Sequence, residues 1–305
     1  MKKTYAGIVG SPVTPFKPDN TVDFETFEKQ INFLIDGGAN LLAHPMHIGE
    51  SVSLTENERR QLAEAFVSAV GGRVPAFVHV SYAGTDLSIG LAKHAAKAGA
   101  TGVVLMAPYF WKSNPQAIVE HFCAVAEAAG GKIIAYNNLH AAGVELTLKV
   151  LEQMFERIPG FAAIKDASLS METFADICTL IESKGRDIAA HTASEHLLPS
   201  IAVGGDGCIS GCSEIAPRLV HALYQACMRN DIVTARELQR KVGRLLKVVR
   251  HNYPVAVKYS MELMDRPVGP PRRPLQPLTA AEMTWVKSEL SAIGVFDSEP
   301  RGWKM

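Results

Sequence analysis

The sequence predicts an α/β fold, a (β/α)8 TIM barrel followed by a C-terminal extension of three helices. Apolar runs of strand length alternate with segments of 3.6-residue periodicity eight times along the chain. Each strand–helix unit takes about 25–30 residues, which suits one eighth of such a barrel. No G-x-G-x-x-G pattern follows the first apolar run, which favours a barrel over a dinucleotide-binding sheet.

The eight predicted strands are continuous apolar runs, as expected for parallel strands that are covered on both faces. We predict them at Gly7–Val13, Asn40–Pro45, Val74–Val80, Gly102–Pro108, Lys132–Asn138, Phe161–Lys165, Ile188–Thr192 and Gly207–Ser210.

The segments between the strands have the signals of amphipathic helices. Apolar residues recur on one face over Phe24–Leu34, and a pair of glycines follows. The same periodicity runs over Leu62–Val70, and Thr55 with Glu58 predicts a capping box at the start of that helix.

Beyond the eighth unit the chain reads as helical, with a proline-rich turn before the last helix. The three predicted helices and the turn are Asp231–Val249, Tyr253–Met264, Thr279–Ile293 and Arg266–Pro277. No low-complexity linker separates them from the barrel. We therefore predict a catalytic barrel domain over residues 1–230 and a helical extension packed on it over residues 231–305.

Composition narrows the classes of function. The chain has 31 basic and 31 acidic residues among 305, so no charge pattern suggests binding to nucleic acid or to an anionic membrane. Its five cysteines are odd in number and form no C-x-x-C pair, which favours reduced thiols in the cytoplasm. The first residues lack the long apolar core of a signal peptide, and no apolar run is long enough to span a bilayer.

The most informative stretch is FAAIKDAS, residues 161–168, in which four apolar residues lead into Lys165. A buried ammonium is costly unless it is paired. Burial also lowers the pKa of an amine, and a neutral amine can attack a carbonyl carbon to form a Schiff base. The alternative from this stretch alone is a lysine that extends to the strand end and pairs with a carboxylate.

In a barrel, the residues that follow each strand gather at one mouth, where chemistry takes place. Strand 5 brings Tyr136 to this mouth, and strand 8 brings Ser210 and Gly211. Four histidines near strand ends suggest a metal-dependent hydrolase as a rival from another mechanistic class; they are His44, His79, His140 and His191. Such a site needs ligands at close spacing with carboxylates beside them. The rival is disfavoured because strand 1 has no H-x-H and strand 8 offers Ser210, with Asp206 lying before the strand. We predict no metal.

Several motifs in the expected order resemble the dihydrodipicolinate synthase / N-acetylneuraminate lyase superfamily. They are Gly49-Glu50-Ser51, Tyr136-Asn137, Ile164-Lys165-Asp166-Ala167, Gly204-Gly205-Asp206-Gly207, Val257-Lys258 and Arg266-Pro267-Val268-Gly269. The similarity runs from about Gly7 to Leu278. It implies class I Schiff-base chemistry on pyruvate or another 2-oxo acid, with the covalent lysine imine in place of a cofactor.

The resemblance assigns roles to individual residues. The family lysine maps to Lys165 and its proton-shuttling tyrosine to Tyr136. Gly49 with its flanking amides is expected to cradle the substrate carboxylate, while Glu50 is expected to brace that loop. Independently of the resemblance, Lys258 lies in an apolar setting within the C-terminal helices and is expected to have a structural or interface role. The family also implies a homo-oligomer, most simply a tetramer.

Departures from the family pattern concern the substrate. Family members usually carry two hydroxyl residues just before Gly-Glu, and this chain has His47 and Ile48 at those positions. In the synthases a neighbouring subunit contributes a second tyrosine, and that position is Phe110 here. The synthase arginine that grips the semialdehyde falls at Ala141. The strand-7 pair of the neuraminate lyases reads Ser194-Glu195 here, a partial match that leaves a polyhydroxylated substrate as an alternative. We therefore expect the chain not to be a true dihydrodipicolinate synthase, and we expect His47 to replace the lost hydroxyl relay; a histidine that only fills the mouth is the alternative.

The predicted function is a class I aldolase or lyase acting on a 2-oxo acid, with an aldehyde as a candidate second substrate. The same imine in a dehydratase of 2-oxo-3-deoxy acids is one alternative, and a non-catalytic protein that binds a 2-oxo acid is another. Besides Lys165, Tyr136 and His47, the predicted site contains Ile48, Gly49, Glu50, Ser210, Gly211, Phe110 and Ser194. Phe110 and Trp111 fit either an apolar substrate partner or a contact between subunits.

Overall fold

The computed structural model describes residues 3–305 and contains a closed barrel of eight parallel strands in sequential order. The strands are β1 Gly7–Gly10, β2 Leu41–His44, β3 Ala76–His79, β4 Gly102–Met106, β5 Ile133–Asn137, β6 Phe161–Asp166, β7 Ala189–Thr192 and β8 Gly207–Ser210. Every strand residue is buried, as the continuous apolar runs predicted. The predicted TIM barrel is confirmed.

Helices follow the strands around the outside of the barrel. Their bounds are α1 Phe24–Asp36, α2 Glu56–Val70, α3 Thr85–Lys97, α4 Pro115–Ala128, α5 Leu139–Ala142, α6 Leu148–Arg157, α7 Met171–Lys184, α8 Leu197–Ala202 and α9 Pro217–Met228. The capping box at Thr55 and Glu58 is present, and α1 ends at Asp36, just before Gly37 of the predicted glycine pair.

The C-terminal segment contains four helices instead of the predicted three. They are α10 Ile232–Arg250, α11 Val255–Leu263, α12 Ala280–Ile293 and α13 Val295–Ser298. The last is one short turn, too brief to give a periodic pattern. Helix α11 begins two residues later than predicted because Pro254 disfavours a helical conformation for Tyr253, the residue before it. Tyr253 is thereby left outside the helix.

The C-terminal helices share a hydrophobic core with the barrel. Leu245 and Leu246 of α10 and Met261 of α11 belong to the same buried cluster as Ile48 and Ile209 at the strand ends. We keep the boundary between residues 230 and 231 as a proposal, since Asp231 caps the first of these helices. Within residues 3–305, no helix has the length and apolar character needed to cross a membrane.

The register of strands β5, β6 and β7 sets the positions of the central side chains. Tyr136 pairs with Lys165, and Lys165 pairs in turn with His191. Paired residues of parallel strands point to the same face of the sheet. A register irregularity between Ile133 and Ile134 precedes this pairing. Tyr136 and Lys165 therefore project side by side into the barrel.

Candidate active site

A cavity of about 400 Å³ opens at the carboxyl ends of the strands. Seven of the ten predicted site residues line it: Lys165, Tyr136, His47, Ile48, Ser210, Gly211 and Ser194. Three do not line it, namely Gly49, Glu50 and Phe110. Leu246, Val249 and Arg250 of helix α10 complete the wall, together with Tyr253 from the segment between α10 and α11. The volume lies within the range of small-molecule sites and exceeds what a three-carbon acid fills.

Lys165 is buried at the bottom of this cavity, with 6% of its surface exposed. Its Nζ lies 3.8 Å from the centroid of the Tyr136 ring. Burial lowers the pKa of the Lys165 amine to about 7, and the Glu195 carboxylate only partly opposes this shift. Near neutral pH a large fraction of the amine is therefore unprotonated and nucleophilic.

Tyr136 remains protonated over the whole neutral range. Burial raises the pKa of its hydroxyl to about 12, although a hydrogen bond from Asn138 acts in the opposite direction. Asn138 Nδ2 donates to the Tyr136 hydroxyl oxygen over 2.9 Å. Since this bond uses the oxygen as an acceptor, the Tyr136 hydroxyl keeps its own proton to donate.

His47 lies beside Tyr136, with ring centroids 5.5 Å apart. Burial, and secondarily the charge of Lys165, lower the pKa of His47 to about 4. Its imidazole is therefore neutral near pH 7 and can accept a proton. His79 lies behind it at 6.0 Å between centroids and is anchored by Nδ1, which donates to the carbonyl oxygen of Pro45 over 2.8 Å.

A hydrogen-bonded network rigidifies the opposite wall. The Glu195 carboxylate accepts from Ser210 Oγ over 2.6 Å and from the Cys212 amide over 2.7 Å. Ser210 Oγ in turn accepts from Ser213 Oγ over 2.7 Å. Glu195 is buried, so this network fixes a negative charge near Lys165 without exposing it to solvent.

The predicted contacts of Gly49 and Glu50 with substrate are corrected by the structure. The Gly49 amide donates to the Met46 carbonyl and the Glu50 amide to the His47 carbonyl, each over 3.0 Å, so neither is available as a cradle. Gly49 serves packing, because a Cβ at this position would lie 3.1 Å from Cε1 of His44.

The bracing role expected for Glu50 and the structural role expected for Lys258 are visible in their contacts. Lys258 Nζ lies 2.6 Å from Glu50 Oε1, and both side chains are almost fully buried. The same ammonium donates to the Thr14 and Pro270 carbonyls over 2.9 and 3.2 Å. Glu50 also accepts from the Arg272 amide over 2.8 Å. This pair ties the loop after β2 to the C-terminal segment.

Replacing Lys258 with methionine is expected to lower the free energy of unfolding by about 3–5 kcal/mol, because the Glu50 carboxylate would remain buried without its partner. The matched control is Lys29→Met, which breaks the exposed pair with Glu25 and is expected to have a much smaller effect, because solvent screens that pair. Urea denaturation followed by circular dichroism measures both. Equal losses would contradict a bracing role for the buried pair.

The prediction that Phe110 binds substrate is also corrected, because Phe110 does not line the cavity of its own chain. Its side chain is 81% exposed, and Trp111 beside it is 62% exposed. The backbone of Phe110 has a positive φ of 77°. The two rings pack on each other at 5.1 Å and lie outside the cavity.

The four histidines of the metal alternative do not converge. His44 and His191 bond to the carbonyl oxygens of Pro12 and Tyr5, and His79 bonds to Pro45. His140 lines the cavity. Within residues 3–305, no three histidine, cysteine or acidic side chains are grouped so that they could hold a metal ion.

Sequence reasoning missed Arg250 and Tyr253, which reach the cavity from outside the barrel. Arg250 follows the end of one predicted helix and Tyr253 begins the next, and no local pattern indicates which helix end covers the mouth. Asn138 and Glu195 could be placed at strand ends from the sequence, but their bonding partners could not.

Comparison with known proteins agrees with this geometry. Residues 4–293 match the model of the dihydrodipicolinate synthetase family. A 4-hydroxy-tetrahydrodipicolinate synthase of Chlorobium chlorochromatii is 32% identical over 286 residues, which cover 93% of this chain and 95% of the relative. The structure of dihydrodipicolinate synthase DapA-2 from Bacillus anthracis superposes with a TM-score of 0.90 at 29% identity, over 99% of this chain and 100% of that one.

A third protein shares the fold at lower identity. YagE of Escherichia coli K12, whose structure is a complex with pyruvate, has a TM-score of 0.92 and 24% identity, over 95% of this chain and 99% of that one. The extent of the family match is the stronger finding, since it covers nearly the whole barrel and most of the C-terminal helices. The chain belongs to the dihydrodipicolinate synthetase family and is an enzyme of the class I lyases and aldolases, which act through a lysine Schiff base.

Proposed function

We propose that this enzyme binds pyruvate or a related 2-oxo acid as an imine of Lys165 and makes or breaks a carbon–carbon bond at C3. The observation that carries this proposal is the Lys165 amine, which is buried at the bottom of the cavity, has a pKa of about 7 and lies 3.8 Å from the Tyr136 ring. The proposal assigns catalysis to Lys165, Tyr136 and His47, and places Ile48, Ser210, Gly211 and Ser194 in the substrate wall.

The first step joins the substrate to the enzyme. The lone pair of neutral Lys165 attacks C2, and the C2 oxygen takes up a proton to give a carbinolamine. Loss of water from this intermediate forms the protonated imine. Tyr136 is placed to deliver the proton, because its hydroxyl accepts a bond from Asn138 and keeps its own hydrogen.

The second step uses the imine as an electron sink. Removal of a proton from C3 gives an enamine, whose C3 attacks an aldehyde carbon; in reverse, cleavage of the C3–C4 bond releases an aldehyde and leaves the enamine. Neutral His47 beside Tyr136 is the base that this step requires. The protein therefore supplies the nucleophile, a proton donor and a proton acceptor within one cavity.

A second candidate is the activity in the names of the curated relatives, 4-hydroxy-tetrahydrodipicolinate synthesis. The identity to these relatives supports it. Two substitutions argue against this activity. His47 occupies a position where the synthases have a hydroxyl residue, and Ala141 occupies the position of the synthase arginine, so no guanidinium is present there to hold a semialdehyde. Because of these two substitutions, we favour an aldehyde other than aspartate semialdehyde as the second substrate.

An activity screen tests the choice between the two. The purified enzyme is assayed for pyruvate release from 4-hydroxy-2-oxo acids and, separately, for condensation of pyruvate with aspartate semialdehyde. We expect turnover in the first assay that is at least tenfold faster than in the second. Faster condensation with the semialdehyde would establish the synthase instead, and loss of water without release of pyruvate would identify a dehydratase.

We also propose that the chain works as a homo-oligomer, most simply a tetramer, in the cytoplasm. The exposed Phe110–Trp111 pair on the loop after β4 supports an interface at this position, since the two packed rings form a contiguous apolar patch, and such patches can mark contacts between proteins. The cysteines are scattered and odd in number, which fits a reducing compartment.

The rate of imine formation is expected to follow the ionisation of Lys165. Its pKa is lowered to about 7, so the reactive neutral fraction falls about tenfold for each pH unit below 6 and levels off above pH 8. His47 and Tyr136 do not titrate in this window, because their pKa values are about 4 and about 12. The rate of imine formation is measured by trapping the pyruvate adduct with borohydride at set times, at pH values from 5 to 10. A rate that still rises tenfold per unit through pH 9 would contradict the lowered pKa.

A further inference from the structure

Arg250 brings a positive charge to the cavity from outside the barrel. It is the last residue of α10 and lines the cavity together with Leu246 and Val249 of the same helix. Its side chain is exposed on the solvent side, while the two apolar neighbours are buried. Lys165 and Arg250 therefore stand at the inner and outer parts of one cavity.

The Arg250 guanidinium has neutral partners. One Nη donates to Ser194 Oγ over 3.0 Å and contacts His196 Nε2 at 3.4 Å. Among residues 3–305, no carboxylate lies within 4.0 Å of it, although eleven other pairs of basic and acidic groups do meet this criterion. Glu195, the acidic residue of the cavity wall, is buried and bonded to Ser210 and Cys212. The remaining donors of Arg250 are thus left for a ligand.

The contact with Ser194 fixes where this charge lies. Ser194 follows the end of β7 by two residues, and His191 of that strand pairs with Lys165 on β6. The guanidinium is held on the same side of the mouth as the amine, further out. Lys165 and Arg250 line the same cavity, so a molecule joined to Lys165 through C2 shares this cavity with the guanidinium.

We propose that Arg250, positioned by Ser194, binds a second carboxylate at the far end of the substrate. The substrate class is then a 2-oxo acid with two carboxylates, one next to C2 and one at the outer end of the chain. A planar guanidinium can donate two parallel hydrogen bonds to one carboxylate. Binding of a substrate carboxylate would therefore explain why Arg250 has no acidic partner within the protein. The inference rests on the proposed imine at Lys165. The alternative is that Arg250 only complements the dipole at the end of α10.

Lys247 provides a matched control for that alternative. It lies in the last turn of the same helix, is exposed, and does not line the cavity. Lys247→Gln and Arg250→Gln each remove one positive charge from the end of α10. Only the second removes a charge that faces the cavity, so a helix-dipole role predicts similar effects and a binding role predicts different ones.

The experiment uses two probes, 2-oxoglutarate and 2-oxohexanoate, and traps their adducts at Lys165 with borohydride. For each probe it measures the concentration at which adduct formation is half-saturated. The two probes are similar in length, but only the first ends in a carboxylate. We expect the wild-type enzyme to be half-saturated by 2-oxoglutarate at a concentration about tenfold lower, as for a charge-assisted hydrogen bond. Arg250→Gln should abolish this preference, Arg250→Lys should retain part of it, and Lys247→Gln should retain all of it.

Two results would overturn the inference while leaving the proposed function intact. One is trapping of both acids at Lys165 with equal half-saturation in the wild-type enzyme. The other is an equal loss of preference in Lys247→Gln and Arg250→Gln. If pyruvate and both probes fail to form an adduct at Lys165, the proposed function itself is wrong, and the inference falls with it.

Discussion

Replacing Lys165 with methionine is expected to abolish both adduct formation and turnover, with a loss of at least about 10⁴-fold in kcat/KM. Methionine keeps the unbranched apolar stem that fills the site but has no amine to attack C2. The fold should persist, because the change removes a buried amine without creating a large cavity. Steady-state assay, intact mass after borohydride reduction and thermal unfolding measure the three properties together.

The control for this experiment is Lys132→Met. Lys132 directly precedes β5, at the end of the barrel opposite the cavity, and its side chain is exposed. We expect wild-type trapping and turnover from this variant. Retention of more than about one hundredth of the activity in Lys165→Met would show that another group activates the substrate.

Replacing Tyr136 with phenylalanine is expected to lower kcat/KM by about 10²–10⁴-fold, the usual contribution of a positioned acid or base. The ring that lies 3.8 Å from Lys165 Nζ is retained, so the packing around the amine is preserved. The hydroxyl that Asn138 orients is lost. Slower adduct formation with an unchanged final extent of adduct would separate a role in proton transfer from a role in binding.

Tyr224→Phe is the matched control for the loss of a buried tyrosine hydroxyl. Tyr224 lies on α9, outside the cavity, and its hydroxyl has no hydrogen-bond partner among the described residues. Its removal should change kcat/KM by less than about twofold. A Tyr136→Phe enzyme that is as active as this control would remove Tyr136 from the proton transfer steps.

That Tyr136 and Lys165 lie on neighbouring strands could be predicted, because this depends on strand order alone. Consecutive βα units place their strands next to each other, so the fifth and sixth strands are neighbours in any such barrel. Burial of the lysine followed from the apolar run that precedes it. The exact pairing depends on the irregularity at Ile133, which no sequence pattern indicates.

The parts of the site that were wrong or missed depend on contacts distant in sequence. The Gly49 amide was expected to bind an anion, but a tight turn uses it for the Met46 carbonyl. Arg250 and Tyr253 reach the mouth because α10 and α11 pack over the barrel, with a proline deciding where the second helix begins. Such packing is set by tertiary contacts, which periodicity within one helix does not encode.

The central claim, an imine at Lys165, is tested most directly by borohydride reduction in the presence of pyruvate followed by peptide mapping. We expect one reduced adduct, located on the peptide that contains Lys165, and no adduct when borohydride is added before pyruvate. An enzyme that turns over a 2-oxo acid but yields no adduct, or an adduct on a different lysine, would contradict it.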